Sequence, residues 1–105
     1  MLGKICQQFP EVSQGSQFGH PTWLAGKKTF AIARYAGTRL TLCFWVGVEQ
    51  QGLLTADPRY DIPPYFGHNG WIALDVTKNS DSEEIRGLAL ESYRHFALKR
   101  MLQQL

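Results

Sequence analysis

Apolar and polar residues alternate with a period of two through much of the first half of the chain, and this period is typical of β-strands. Two short segments that contain glycine, Gly26-Lys27 and Gly37-Thr38, interrupt the alternation. Because glycine readily adopts the positive φ of tight turns, these segments predict hairpins between successive antiparallel strands. The strands are predicted at roughly residues 17–24, 28–35 and 39–46.

The alternation also assigns side chains to the two faces of the predicted sheet, since successive residues of a strand point in opposite directions. Phe30 and Ile32 are predicted on the face that the helices cover. The opposite face is predicted to carry small and aromatic side chains, namely Ala31, Ala33, Thr41, Cys43, Trp45, Trp71 and Ala73.

Two short segments have the apolar spacing of amphipathic helices. The first covers residues 2–9 and ends before Pro10, and the second covers residues 48–56 and ends at Asp57-Pro58. Proline disfavours a helical conformation in the residue before it, so both ends are well marked. A further alternating segment at residues 71–76 predicts another strand.

The longest predicted helix begins at a capping box formed by Ser80 and Glu83 and ends near Lys99 and Arg100, which complement the negative end of the helix dipole. Its buried stripe is predicted to comprise Ile85, Leu88, Ala89, Ser92 and Phe96. The order of elements predicts an α+β fold, with an antiparallel sheet of about five strands and helices packed on one face.

Length and composition fit one folded domain, residues 1–105, since 44% of residues are hydrophobic and 19% are charged. No run approaches the ~20 apolar residues of a membrane helix, and the first ten residues lack the features of a signal peptide. We therefore expect a cytoplasmic protein with no membrane partner. Cys6 and Cys43 form no Cys-x-x-Cys pair and are expected to be reduced.

A series of short motifs runs along nearly the whole chain. It comprises Pro21-x-Trp23, Gly26-Lys27-Lys28-x-Phe30-Ala31, Asp57-Pro58, Pro64-Tyr65, Gly70-Trp71-Ile72, Tyr93-Arg94 and Ala97-x-Lys99-Arg100. In their order and spacing, these motifs resemble those of the MmcQ/YjbR-like family. The resemblance implies a CyaY-like fold and a double-wing arrangement for which DNA binding has been proposed, and it brings no set of catalytic residues.

Four basic residues lie near the two predicted hairpins: Lys27, Lys28, Arg34 and Arg39. Placed at adjacent tips, they would contact the phosphates of double-stranded DNA, and such contacts make affinity fall with salt. The net charge of +2 permits this binding without requiring it. With the family resemblance, these residues make a non-catalytic DNA-binding module the first hypothesis.

The pattern Phe-Gly-His-x-x-Trp occurs twice, as Phe18-Gly19-His20 with Trp23 and as Phe66-Gly67-His68 with Trp71. The alternative hypothesis is therefore a small-molecule-binding or sequestering protein. Its aromatic cleft would be formed by His20, Trp23, Trp45, His68 and Trp71. The pattern is also consistent with two glycine-aromatic anchors for two strands of one sheet.

Other kinds of chemistry find little support in the sequence. Two histidines are too few to hold zinc without further ligands, so we expect no metal site. The chain has no P-loop, no dinucleotide-binding glycine motif and no Gly-x-Ser-x-Gly elbow. We therefore expect no cofactor and no catalysis, and the oligomeric state is left open.

Overall fold

A six-stranded antiparallel sheet is the framework of the computed structural model, which describes residues 2–78 and 80–105. The strands are Val12–Gln17 (β1), His20–Ala25 (β2), Lys28–Ala36 (β3), Arg39–Trp45 (β4), Tyr60–Asp61 (β5) and Trp71–Asp75 (β6). They are ordered β1-β2-β3-β4-β6-β5, and every neighbouring pair is antiparallel. The predicted α+β fold is confirmed.

The helices are Leu2–Cys6 (α1), Val48–Leu54 (α2), Ser82–Phe96 (α3) and Lys99–Leu102 (α4), and a short 3₁₀ helix covers Gly67–Asn69. Helix α3 packs against β3, β4 and α1. Three residues of its predicted stripe, Ile85, Ala89 and Ser92, are fully buried. Among the described residues, no helix is long and apolar enough to cross a membrane.

A β-bulge in β3 reverses the predicted faces of the residues that follow Phe30. Trp23 of β2 pairs with Ala31 and Leu24 pairs with Thr29, so Phe30 is an extra residue between the two pairs. As a result both Phe30 and Ala31 belong to the core beneath α3. The prediction that Ile32 shares a face with Phe30 is wrong, because the extra residue shifts the alternation by one position.

The first edge strand was not predicted. Strand β1 reads Val-Ser-Gln-Gly-Ser-Gln and is mostly exposed, so it has no apolar alternation to reveal it. Polar edge strands of this kind protect a sheet from pairing with other chains. The strand predicted at about residues 17–24 is in fact the end of β1, a turn at Phe18-Gly19 and most of β2.

Helix α3 begins one residue later than the capping box predicted. Its N-cap is Asp81 rather than Ser80, and Asp81 Oδ1 accepts hydrogen bonds from the backbone N–H groups of Glu83, at 3.0 Å, and Glu84, at 3.5 Å. The carboxylate also suits the positive end of the helix dipole. The helix ends at Phe96, before the basic residues that were expected to end it.

A buried serine joins α3 to the two central strands. Ser92 Oγ donates a hydrogen bond to the carbonyl oxygen of Phe30 at 2.6 Å and accepts one from the backbone N–H of Trp45 at 3.0 Å. This one side chain thus fixes the position of α3 relative to β3 and β4. We call the sheet face opposite α1 and α3 the open face. The Ser92 contact supports this face from the helix-covered side of the sheet.

Both cysteines are free, as the sequence predicted, and both are buried. Burial raises the pKa of the Cys6 thiol to about 12 and that of Cys43 to about 11. Because the thiolate is the nucleophilic form, both side chains act as small apolar residues at neutral pH.

Candidate functional site

A groove with a volume of about 520 Å³ lies on the open face of the sheet. It is formed by the β1–β2 hairpin, the middle of β3 and the segment between β5 and β6. Its lining, mostly apolar and aromatic, consists of Gln17, Phe18, His20, Ile32, Arg34, Tyr65 and Phe66. We call it the aromatic groove.

Phe18 lies at the tip of the β1–β2 hairpin with its ring almost wholly in solvent. Gln17 pairs with His20, so the turn has two central residues, Phe18 with φ 51° and Gly19 with φ 79°. Positive φ at both positions is the requirement of a type I′ turn, which normally takes Asn-Gly or Gly-Gly. A phenylalanine there is strained, and its side chain is 92% exposed.

Tyr65 lies on the other side of the groove, and like Phe18 it combines a positive φ with an exposed ring. Its φ is 71°, and the backbone N–H of Phe66 donates to the carbonyl oxygen of Pro64 at 2.8 Å, which makes a γ-turn centred on Tyr65. The positive-φ form of this turn is rare and strained. The Tyr65 ring is also 92% exposed. Strained backbone at exposed residues is characteristic of ligand-binding sites.

The segment that carries Tyr65 and Phe66 is anchored to the sheet rather than free. Buried Gln51 of α2 donates through Nε2 to the carbonyl oxygens of Gly67 and Trp71. Further along, Trp45 Nε1 donates to the carbonyl oxygen of Asn69 at 2.9 Å. These bonds fix the far wall of the groove.

Arg34 supplies the positive charge of the groove. It lies on the open face beside Thr41 of β4, its partner in the strand register. Burial raises the pKa of the neighbouring Cys43 thiol, whereas the positive charge of Arg34 acts in the opposite direction. The guanidinium group therefore lies over the centre of the sheet, where it can meet an anionic group in the groove.

The four basic residues of the first hypothesis are divided between two ends of the sheet. Lys27 and Lys28 lie at the β2–β3 turn, and Arg39 lies at the β3–β4 turn. Successive turns of antiparallel strands fall at opposite ends, so the predicted adjacency of the tips is wrong. Arg39 is also paired with Asp75 at 3.0 Å. Only Arg34 of the four lines the groove.

The predicted cleft does not bring its five residues together. Trp23 is buried in the core beneath α3, and its indole nitrogen has no acceptor among the described residues. Trp45 and Trp71 pair across β4 and β6 on the open face. His20 lines the groove, while His68 is exposed on the 3₁₀ helix. Within residues 2–78 and 80–105, no three potential metal ligands converge.

The repeated pattern does meet at one place, through its phenylalanines. Phe18 and Phe66 both line the groove, although the first lies in a hairpin turn and the second just before a 3₁₀ helix. Sequence reasoning concentrated on the histidines and tryptophans and missed both phenylalanines and Tyr65. The available signal was an aromatic residue directly before a turn glycine, a position that solvent usually reaches.

A known family of proteins and a solved structure are similar to this chain. The YjbR family model matches residues 7–95 of the chain. This protein belongs to the YjbR family. Its fold is similar to the crystal structure of the Deinococcus radiodurans protein DR2400, a DUF419 domain, with a TM-score of 0.77 and 16% sequence identity over 98% of this chain and 83% of the other. No functionally curated protein matches it.

Every residue that lines the aromatic groove lies within the segment that the YjbR family model matches. Helix α4 lies beyond it. The similarity to the Deinococcus protein is at the level of the fold.

Proposed function

We propose that this YjbR-family protein is a non-catalytic nucleic-acid-binding module whose aromatic groove holds an unpaired base. One observation carries the proposal: the rings of Phe18 and Tyr65, each 92% exposed, are held by strained backbone on opposite sides of a groove that also contains Arg34. An exposed ring in a strained turn has a cost in stability that packing does not offset, and ligand binding gives it a role.

The chemistry of the groove fits a base with its phosphate. Every nucleobase has a planar π-face, and stacking on an aromatic side chain contributes about 1–3 kcal/mol per base. Phe66 and Ile32 offer apolar surface below the two exposed rings. Arg34 is placed to bind a phosphate oxygen or to stack on the base through its planar guanidinium.

Unpaired strands fit this site better than the double-stranded DNA of the first hypothesis. Bases in a duplex are stacked on one another and offer no free face to a ring from the side. The four cations that the duplex hypothesis places together do not share one surface, because Lys27 and Arg39 lie at opposite ends of the sheet. The family resemblance supports nucleic acid as the partner. The exposed rings of the groove favour single strands over duplexes as the form that binds.

A small planar anion is the second candidate ligand. The groove volume of about 520 Å³ is within the range of small-molecule sites, and its lining combines apolar surface with one arginine. Free mononucleotides distinguish the two proposals. A nucleic-acid module binds a strand more tightly than its monomer, while a small-molecule protein does not.

The test is fluorescence anisotropy with labelled single-stranded and double-stranded oligonucleotides of one sequence. We expect the single strand to bind more tightly, and Phe18→Ala or Tyr65→Ala to weaken that binding about five-fold or more, the equivalent of one lost stacking contact. Arg34→Gln should weaken it and reduce its salt dependence.

Matched controls come from the same chain. Tyr35→Ala removes an exposed aromatic residue of β3 that is not part of the groove lining, and Arg86→Gln removes an arginine of α3 that bonds to Gln8. Both should bind like the unaltered protein. If the single strand binds equally well to a protein that lacks both Phe18 and Tyr65 rings, the groove is not the site.

A further inference from the structure

A second cationic surface lies at the other end of β3 from the groove. The β2–β3 turn packs on α4, and a side-chain carbon at Gly26 would lie 3.7 Å from Met101 Sδ. The C-terminal half of α3 lies beside β3, since Ser92 Oγ bonds to the carbonyl oxygen of Phe30 at 2.6 Å, two residues after Lys28. The turn and α4 place three exposed lysines at one end of the molecule, which we call the basic end: Lys27, Lys28 and Lys99.

Lys28 of the basic end acts electrostatically on His95 in the last turn of α3. Burial lowers the pKa of His95, and the positive charge of Lys28 lowers it further. Lys28 on β3 therefore lies within electrostatic range of the last turn of α3. Arg100 is excluded from the set because it is paired with Glu11 at 2.8 Å.

The sequence assigned Lys99 to the end of the long helix, where it would complement the dipole. In the structure Lys99 begins the separate helix α4, and Leu98 is its N-cap. Arg94 is in the last turn of α3 and does complement the dipole there. The dipole thus accounts for Arg94 and leaves the lysines of the β2–β3 turn unexplained.

A row of aromatic contacts joins the groove to the basic end. Phe66 of the groove lies edge-on to Trp71 with 5.3 Å between ring centres, and Trp71 is stacked with Phe96 at 5.9 Å. Phe96 in turn contacts His95 at 4.7 Å, and His95 is stacked on Trp45 at 3.5 Å. The row therefore runs from the far wall of the groove to the neighbourhood of Lys28.

The spacing of the two sites is fixed by one strand. Arg34 and Lys28 both belong to β3. Their separation along the sequence corresponds to about 20 Å at roughly 3.3 Å per residue. Because both ends of this distance are in the same strand, the two cationic sites cannot move apart.

We propose that the basic end binds the phosphates of the same single strand whose base occupies the aromatic groove, so that the strand crosses the open face along the aromatic row. This inference rests on the proposed function and adds a direction and a minimum length to it. Lysine and arginine contacts of this kind position the strand without reading its sequence. The strand must be long enough to cover about 20 Å.

The test uses thymidine oligonucleotides from the dinucleotide upward. The dinucleotide fills the groove alone, and affinity should rise steeply once a strand also reaches the basic end. In the triple variant Lys27→Gln, Lys28→Gln, Lys99→Gln that rise should be lost, with about ten-fold weaker binding of the long strand and a salt slope smaller by about 2 for three lost contacts. Dinucleotide binding should be unchanged.

The matched control replaces the same number of cations elsewhere, as Lys4→Gln, Lys78→Gln and Arg86→Gln, which are exposed and outside the basic end. This variant should keep the length dependence. If the long strand binds the basic-end variant and the control equally well, the inference is overturned while the groove proposal stands.

Two other results also have clear meanings. If neither the dinucleotide nor the long strand binds, the proposed function itself fails. If the basic-end variant keeps its oligonucleotide binding but no longer binds vesicles of anionic phospholipid that the unaltered protein binds, the basic end serves a membrane surface and the inference is overturned.

Discussion

Replacing Phe18 by asparagine should make the protein more stable and less able to bind. The turn at Phe18 and Gly19 has φ 51° and 79°, and Asn-Gly is the pair that favours such a type I′ turn. A bulky L-residue in the left-handed region costs roughly 1–2 kcal/mol, much of which asparagine avoids. The Phe18 ring is 92% exposed, so little buried area is lost with it.

The net expectation for Phe18→Asn is a gain of about 1 kcal/mol in the free energy of unfolding. For a domain of this size that corresponds to a rise of roughly 4–8 °C in Tm. Thermal unfolding followed by circular dichroism measures the shift, and urea unfolding checks it at constant temperature. Oligonucleotide binding measured on the same sample should be weaker than that of the unaltered protein.

Tyr35→Asn is the control for this experiment. Tyr35 is an exposed aromatic residue within β3, and its φ is not among the positive ones. Asparagine is a poor strand residue, so this variant should be no more stable than the original. If Phe18→Asn leaves Tm unchanged or lowers it, the turn is not strained, and the argument that strain marks the groove is refuted.

Three further predictions concern the framework of the site. Gly87→Ala should stabilise the protein by up to about 1 kcal/mol in urea unfolding, because Gly87 lies within α3 and a methyl group there meets open space. A loss of stability would contradict this. Ser92→Ala should cost about 1–3 kcal/mol, since it leaves the buried backbone groups of two strands without a partner; an unchanged midpoint would show that the bonds are dispensable. The pKa of Asp75 is lowered by its hydrogen bonds to Thr77 and by Arg39, so its contribution to stability is present above about pH 4 and is lost as the pH falls through the lowered value. Asp75→Asn should flatten the acid limb of the stability curve, and an unaltered limb would exclude this carboxylate.

Much of the fold follows from local patterns that the sequence displays. Leu42 and Phe44 fall beneath α3, and Cys43 between them lies on the opposite face as predicted, because β4 is a regular strand whose alternation is uninterrupted. The error in β3 has a non-local cause, since the bulge at Phe30 depends on how β3 pairs with Trp23 and Leu24 of its neighbour. A period of two in one strand cannot reveal an extra residue that only the partner strand defines.

The candidate site was only partly accessible to sequence reasoning. His20 and Arg34 were named and do line the groove. Phe18 and Tyr65 appeared in motifs but were not identified as site residues, because an aromatic residue is more often part of the core, and their exposure depends on the type of turn that each occupies. The wall formed by the segment between β5 and β6 depends on Gln51, whose hydrogen-bond partners Gly67 and Trp71 are distant in sequence.

The most direct test of the account is the affinity for a single-stranded oligonucleotide of the double variant Phe18→Ala, Tyr65→Ala, measured beside Tyr35→Ala and the unaltered protein. We expect the double variant to stay folded, because both rings are exposed, and to bind at least about 25-fold more weakly, as expected for two lost stacking contacts. Binding equal to that of Tyr35→Ala would contradict the claim that the aromatic groove holds nucleic acid.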